Sequence, residues 1–199
     1  MGSCRLAPDH GTGIGMTFSI VLHGVESTGK SLLAQRLASH FGTIWVPEYG
    51  RVRAETHGVD MDEQDLLLIG RTQAAMIDAA MPGAHRFLFA DTDSLMTAAW
   101  AEMMIGHIPD VLLTYPKADL YLLMEADVPW VPDQVRIYGD DPVRARFADI
   151  SRTVLERSGV RWESVGGDWD ARFERAVSLI QAMAPPQTSL GFDLAQENE

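Results

Sequence analysis

Gly24-Val25-Glu26-Ser27-Thr28-Gly29-Lys30-Ser31 decides the fold, because it meets the phosphate-binding pattern G-x-x-x-x-G-K-[ST] at every constrained position. In that pattern glycines sit where backbone N–H groups crowd around a phosphate. The lysine reaches the β- and γ-phosphates, and the small hydroxyl holds Mg²⁺. The flanking residues supply the context that such a loop needs. Thr17-Phe18-Ser19-Ile20-Val21-Leu22-His23 is largely apolar and β-branched and reads as a strand. Ser31-Leu32-Leu33-Ala34-Gln35-Arg36-Leu37-Ala38 spaces its apolar residues as a helix does, so a helix N-terminus faces the anion. The backbone from Val25 to Ser31 is therefore expected to cradle the phosphates of ATP, with Lys30 neutralising charge and Ser31 on Mg²⁺.

Working outward, 199 residues suffice for a substantial core and most simply form one domain. Hydrophobic residues at 46% and charged residues at 22% are those of an ordinary globular protein. A formal net charge of -12 argues against nucleic acid and anionic membrane as partners, since neither is attracted by that field. It does not oppose ATP, which is held by local N–H groups, Lys30 and a metal. The single cysteine, Cys4, excludes an intramolecular disulfide and any cysteine-rich zinc site, and suits a reducing compartment. No apolar run approaches the ~20 residues that span a bilayer, and the N-terminus lacks a signal peptide's apolar segment. The expectation is a cytoplasmic protein.

Residues 1–16 read as a flexible leader, 17–184 as the folded domain and 185–199 as a disordered tail. Gly11-Thr12-Gly13-Ile14-Gly15 precedes the first strand rather than following one, so it is not a dinucleotide turn. From Thr17 onward strands and helices alternate. Strands are expected at Thr43–Val46, Arg86–Ala90, Ala118–Glu125 and Val160–Val165. Helices are expected at Asp62–Met81, Ser94–Ile105 with Ser94 as cap, Pro142–Arg157 and Asp168–Met183. This is an α/β pattern: a three-layer α/β/α P-loop NTPase with a mostly parallel sheet.

Chemistry is expected where strands end. Asp91 follows Phe87-Leu88-Phe89-Ala90 and reads either as a magnesium-water ligand or partner of an acceptor hydroxyl, or as a turn residue. Asp93 is explained about as well by capping. Glu48, in Val46-Pro47-Glu48-Tyr49-Gly50-Arg51, reads either as a residue that binds or deprotonates a substrate hydroxyl, or as a solvated loop carboxylate paired with Arg51. Trp45 and Tyr49 suit either a stacked ring or core packing. The segment from Asp127 to Arg136, with Pro129 and Pro132, is too proline-rich for a helix and too apolar for a free linker. It reads as a lid that delivers Arg136 or Arg144 to a transferring phosphoryl group. Arg146 reads as part of a solvated face with Asp140, Asp141 and Asp149. The histidines show no metal-ligand spacing.

Taken together, Gly24–Ser31, Glu48-Tyr49-Gly50-Arg51, Asp91-Thr92-Asp93 with Thr97, Val128-Pro129-Trp130-Val131-Pro132-Asp133, and Arg136, Arg144 and Phe147 resemble the ribosylnicotinamide kinase domain of NadR-type proteins, P-loop proteins related to AAA-type ATPases. The resemblance runs from about Thr17 to Met183. It implies transfer of the γ-phosphate of ATP, with Mg²⁺, to the 5′-hydroxyl of nicotinamide riboside, giving nicotinamide mononucleotide. It implies a substrate-site role for Glu48, metal or hydroxyl duty for Asp91, and closure of Arg136 and Arg144 over the triphosphate. The alternatives are a kinase of another nucleoside or nucleoside monophosphate, and a P-loop regulatory ATPase. Two departures stand out. Gln134 follows Asp133 where the family usually has glycine, which bears on the lid turn. The adenylyltransferase domain of full-length NadR-type proteins has no counterpart in the sequence, so the expectation is a stand-alone kinase.

Overall fold

The computed structural model describes residues 17–139 and 141–184. The leader expected over 1–16, the tail expected over 185–199 and Asp140 lie outside the described residues. The chain runs β1 (Phe18–His23), α1 (Lys30–Phe41), β2 (Trp45–Val46), α2 (Tyr49–His57), α3 (Glu63–Ala80), β3 (Phe87–Asp91), α4 (Ser94–Ile105), β4 (Leu120–Met124), α5 (Asp141–Ser158), β5 (Trp162–Val165) and α6 (Trp169–Met183). Short 3-10 turns lie at Met81–Gly83 and Asp110–Leu113.

Side-chain alternation along the strands builds two cores. On one face Ile20, Leu22, Phe87, Phe89, Leu120 and Leu122 meet Leu33 and Leu37 of α1 and Leu179 and Ile180 of α6. On the other, Val21, Leu88, Tyr121 and Leu123 meet Leu66 of α3, Leu95 and Met96 of α4, and Phe147 and Leu155 of α5. Each large apolar side chain so buried contributes about 1.5–3 kcal/mol. Helices on both faces leave the strands apolar almost throughout, as a wholly covered parallel sheet requires. The expected three-layer α/β/α architecture is what forms.

The five strands lie in the order β2-β3-β1-β4-β5, and every adjacent pair is parallel. From β1 the chain crosses to β2 at one edge, returns through β3, and then crosses β1 to reach β4 on its other side. The order therefore reverses at the carboxyl end of β1, where open α/β sheets bind their ligands. The loop from Gly24 to Gly29 sits at that point.

Element ends shift by a residue or two, with one instructive case. Ser94 is not the cap of α4 but lies inside it. Asp93 is the cap, its carboxylate accepting the N–H of Leu95 at 2.9 Å and of Met96 at 3.4 Å. One element is absent from the sequence reading altogether. Tyr49–His57 forms α2, of which only Ala54 is buried, so no apolar stripe betrays it.

Candidate phosphoryl-transfer site

The loop owes its shape to residues that tolerate unusual backbone. Gly24 has φ 126°, and a Cβ there would stand 2.8 Å from the carbonyl oxygen of Met124. Gly29, in the left-handed region at φ 82°, caps α1. Ser27 also lies in that region, at φ 60°, a conformation that an L-residue holds only when its surroundings fix it. Thr28 Oγ1 donates to the carbonyl of Val25 at 2.8 Å, and Lys30 Nζ donates to the same oxygen at 3.0 Å. The α1 N-terminus thus points its free N–H groups and Lys30 into one space.

That space is a cavity of about 530 Å³, whose wall includes Lys30, Ser31, Glu48, Asp91, Trp100 and Arg136. Asp91 ends β3 and is only 2% exposed. Its Oδ2 accepts the Ser31 hydroxyl at 2.5 Å, while Oδ1 is buried with no partner. Burial raises its pKa, against the pull of Lys30 and the Ser31 hydrogen bond. An unsatisfied carboxylate oxygen beside a serine hydroxyl at the phosphate loop suits a hard divalent cation that keeps several waters, such as Mg²⁺. Among the described residues no group of three or more His, Cys, Asp or Glu could hold a metal by itself.

Glu48 sits at the N-cap position of α2 without capping it. Its pKa is pushed up to about 7, first by burial and then by the charge of Asp91, with Lys30 opposing. The alternative of a carboxylate paired with Arg51 does not hold. Arg51 pairs instead with Glu55 at 2.8 Å and with Asp133 at 3.1 Å. Asp93 is consumed by its cap and by the Tyr121 hydroxyl, which donates to it at 2.6 Å.

Gln73 of α3 ties the two carboxylates' backbones together, and it is 1% exposed. Its Oε1 accepts the N–H of Tyr49 at 2.8 Å, and its Nε2 donates to the carbonyls of Pro47 at 3.2 Å and Thr92 at 3.4 Å. Those three residues flank Glu48 and Asp91. The apolar side of the cavity includes Leu66, Ile69, Met96 and Trp100. Trp100 stacks on Tyr138, ring centroids 5.5 Å apart and 26° between planes. Trp45 lines the cavity.

The lid, Asp127 to Gly139, brings Arg136 to the cavity wall. Arg136 Nη1 donates to the carbonyl of Val131 at 2.5 Å, and Nε pairs with Asp133 at 3.1 Å. Asp133 Oδ1 also accepts the N–H groups of Val135 and Arg136 at 3.0 and 3.1 Å. Gln134 lies outside the left-handed region, so this turn has no need of glycine. Arg144 of α5 is 8% exposed and does not line the cavity. It lies beneath the lid, donating to the carbonyls of Ala126 at 3.3 Å and Val128 at 2.9 Å, with Nε and Nη2 buried and unpartnered.

Two contributors escaped the sequence reading. Gln73 looks like one more member of a helix face. Arg172 of α6 is a strut, 1% exposed: it donates to the carbonyls of Thr28 at 3.0 Å, Gly167 at 2.7 Å and Glu125 at 3.1 Å, and pairs with Asp127. No local pattern marks either residue, because, the Gly167 carbonyl apart, their partners are distant in sequence. His23 has no role in the cavity wall. It is buried, with its pKa lowered to about 3 by desolvation, and lies 3.1 Å from the Ser151 carbonyl.

Comparison with known proteins agrees with this fold. The family described as "AAA domain" matches residues 19–172. The Trifunctional NAD biosynthesis/regulator protein NadR of Escherichia coli is 31% identical over 177 residues, covering 85% of this chain and 43% of NadR. The chain thus spans less than half the length of that relative. A crystal structure of NadR in complex with NR superposes with a TM-score of 0.69 at 19% identity, covering 85% of this chain and 52% of that one. NadR in complex with NAD and AMP-PNP gives 0.70 at 18%, covering 85% and 50%.

Proposed function

We propose that this chain, which belongs to the AAA domain family, is an ATP-dependent kinase of a small nucleoside, and that its acceptor is the 5′-hydroxyl of nicotinamide riboside. One observation carries the reading. A single cavity joins a phosphate half, Lys30, Ser31 and the orphaned oxygen of Asp91, to a half bearing an unpaired, raised-pKa carboxylate and apolar walls. The NadR resemblance, and the NR and AMP-PNP in solved NadR structures, support this choice of acceptor and donor.

Residues 24–31 and Lys30 bind the triphosphate and orient its γ-phosphate. Ser31 and Asp91 would hold Mg²⁺, which would offset the negative charge of the triphosphate. Glu48 takes the proton of the acceptor hydroxyl, whose oxygen bonds to the γ-phosphorus as the bond to the bridging β–γ oxygen breaks and ADP leaves. Division of labour follows from the contacts: Asp91 is committed to Ser31, whereas Glu48 accepts no hydrogen bond among the described residues. Arg136 offsets charge on the transferring group, and Arg144 supports the lid from below through the carbonyls of Ala126 and Val128.

The test is formation of nicotinamide mononucleotide from Mg-ATP and nicotinamide riboside, with Lys30→Ala as control. Lysine-dependent product is the expected result. Product from another nucleoside or a nucleoside monophosphate alone would replace the acceptor. ATP hydrolysis indifferent to every acceptor would overturn the kinase reading.

A further inference from the structure

An acidic side chain inside a phosphate-binding loop requires a reason. Glu26 holds an unconstrained position of the loop pattern, and it lines the cavity beside Lys30. Its charge opposes that of a bound triphosphate. The contacts that compensate come from the lid. Glu26 Oε1 accepts the N–H of Ile137 at 3.4 Å, and Oε2 accepts the N–H of Tyr138 at 3.2 Å. Burial raises the pKa of the half-buried carboxyl while these two donors oppose the rise.

The neighbouring residue anchors the other end. Ser27 Oγ donates to the Val131 carbonyl and accepts the Val131 N–H, both at 3.0 Å. The lid between Val131 and Tyr138 is therefore pinned to the loop at both ends. Arg136 lies between the pins, one residue before Ile137, and its guanidinium is held by the Val131 carbonyl and Asp133. Whatever fixes Val131 and Ile137 fixes the origin and the reach of that side chain.

We propose that Glu26 is a positioning residue for Arg136: it weakens triphosphate binding by its charge and places the arginine over the phosphate loop by docking the lid. This inference rests on the kinase reading above. Two variants separate docking from charge. Glu26→Ala removes both, whereas Glu26→Gln removes the charge and keeps one acceptor oxygen.

In Glu26→Ala, kcat is expected to fall at least about tenfold while Mg-AMP-PNP binds as tightly as in wild type or more tightly. Glu26→Gln is expected to bind the analogue more tightly and to recover part of kcat. A residue needed only for the loop's shape would instead weaken binding in both variants. Glu26→Ala/Arg136→Ala is expected to be no slower than Arg136→Ala alone, because the two side chains act as one unit. Multiplying losses, or tenfold weaker analogue binding with unchanged melting temperature, would overturn the proposal.

A readout free of any acceptor completes the test. Trypsin cleavage after Arg136, in the presence of Mg-AMP-PNP, is expected to accelerate in Glu26→Ala relative to wild type. Unchanged cleavage would overturn lid docking by Glu26. If wild type phosphorylates no nucleoside, the kinase reading fails, yet the affinity and cleavage results still decide whether Glu26 docks the lid.

Discussion

Lys30 and Glu48 face one cavity with opposite electrostatic demands. Lys30 rests on the Val25 carbonyl at 3.0 Å, close enough to the loop to swing to a phosphate. Replacing it by alanine removes a charge aimed at the transferring group and is expected to lower kcat by about 10³-fold, measured by single-turnover product formation. Glu48 brings a pH dependence whose sign follows from its environment. Its pKa stands at about 7 in the folded protein against 4.5 ordinarily. As a proton acceptor it is active when ionised, so kcat/KM, which reports the free protein, is expected to rise with pH through about 7 and then level. Stability moves the other way. Between 4.5 and about 7 the folded protein binds more protons than the unfolded chain, so folding stability falls as pH rises. Glu48→Gln is therefore expected to abolish the acceptor-dependent rate while raising the melting temperature above pH 7 and leaving it little changed near pH 4.5. A variant that lost activity without stabilising at high pH would show that the pKa of the Glu48 carboxyl is not raised in the folded protein.

At the scale of elements, packing between helices and strand ends holds these side chains in place. Gln73 satisfies Pro47, Tyr49 and Thr92 at once. Gln73→Leu keeps the volume but strands these backbone groups, an expected loss of about 1–3 kcal/mol with a larger fall in kcat than in acceptor affinity. Arg172 on α6 makes the corresponding link to the phosphate loop. Arg172→Leu is expected to cost about 1–3 kcal/mol in urea unfolding, because it leaves the buried Thr28 carbonyl, and those of Glu125 and Gly167, without this donor. These elements also mark what the chain reveals by itself. The phosphate loop, its strand and its helix are local, so eight contiguous residues identify them. Asp91 and Glu48 are legible because parallel-sheet topology sends strand ends to one edge. Helix α2 is not, because a helix buried only at Ala54 carries no periodic signal. Gln73 and Arg172 are invisible for a different reason: the Gly167 carbonyl apart, their work is defined by backbone groups 19 to 144 residues away, which no spacing encodes. The cap of α4 falls between, since Asp93 and Ser94 are both good caps and only the fold chooses.

For the molecule as a whole, the site is an intersection rather than a motif. β1, β3 and the lid that follows β4 supply the side with Lys30 and Asp91, and α2 to α4 close the side with Glu48. A ligand spanning that junction ties together elements from both halves of the sheet. At Mg-ATP concentrations about 100 times Kd, binding is worth about 2.7 kcal/mol, expected to raise the melting temperature by roughly 5–10 °C. The shift should vanish in Lys30→Ala if the phosphate loop is where the ligand sits.

The stack of Trp100 on Tyr138 gives this protein a built-in optical gauge. Trp100 belongs to the rigid α4 and Tyr138 to the far end of the lid, so separating them exposes an indole to water and shifts its emission to the red. With the other tryptophans replaced by phenylalanine, stopped-flow fluorescence of Trp100 alone would time the lid's movements against turnover, with no dye attached.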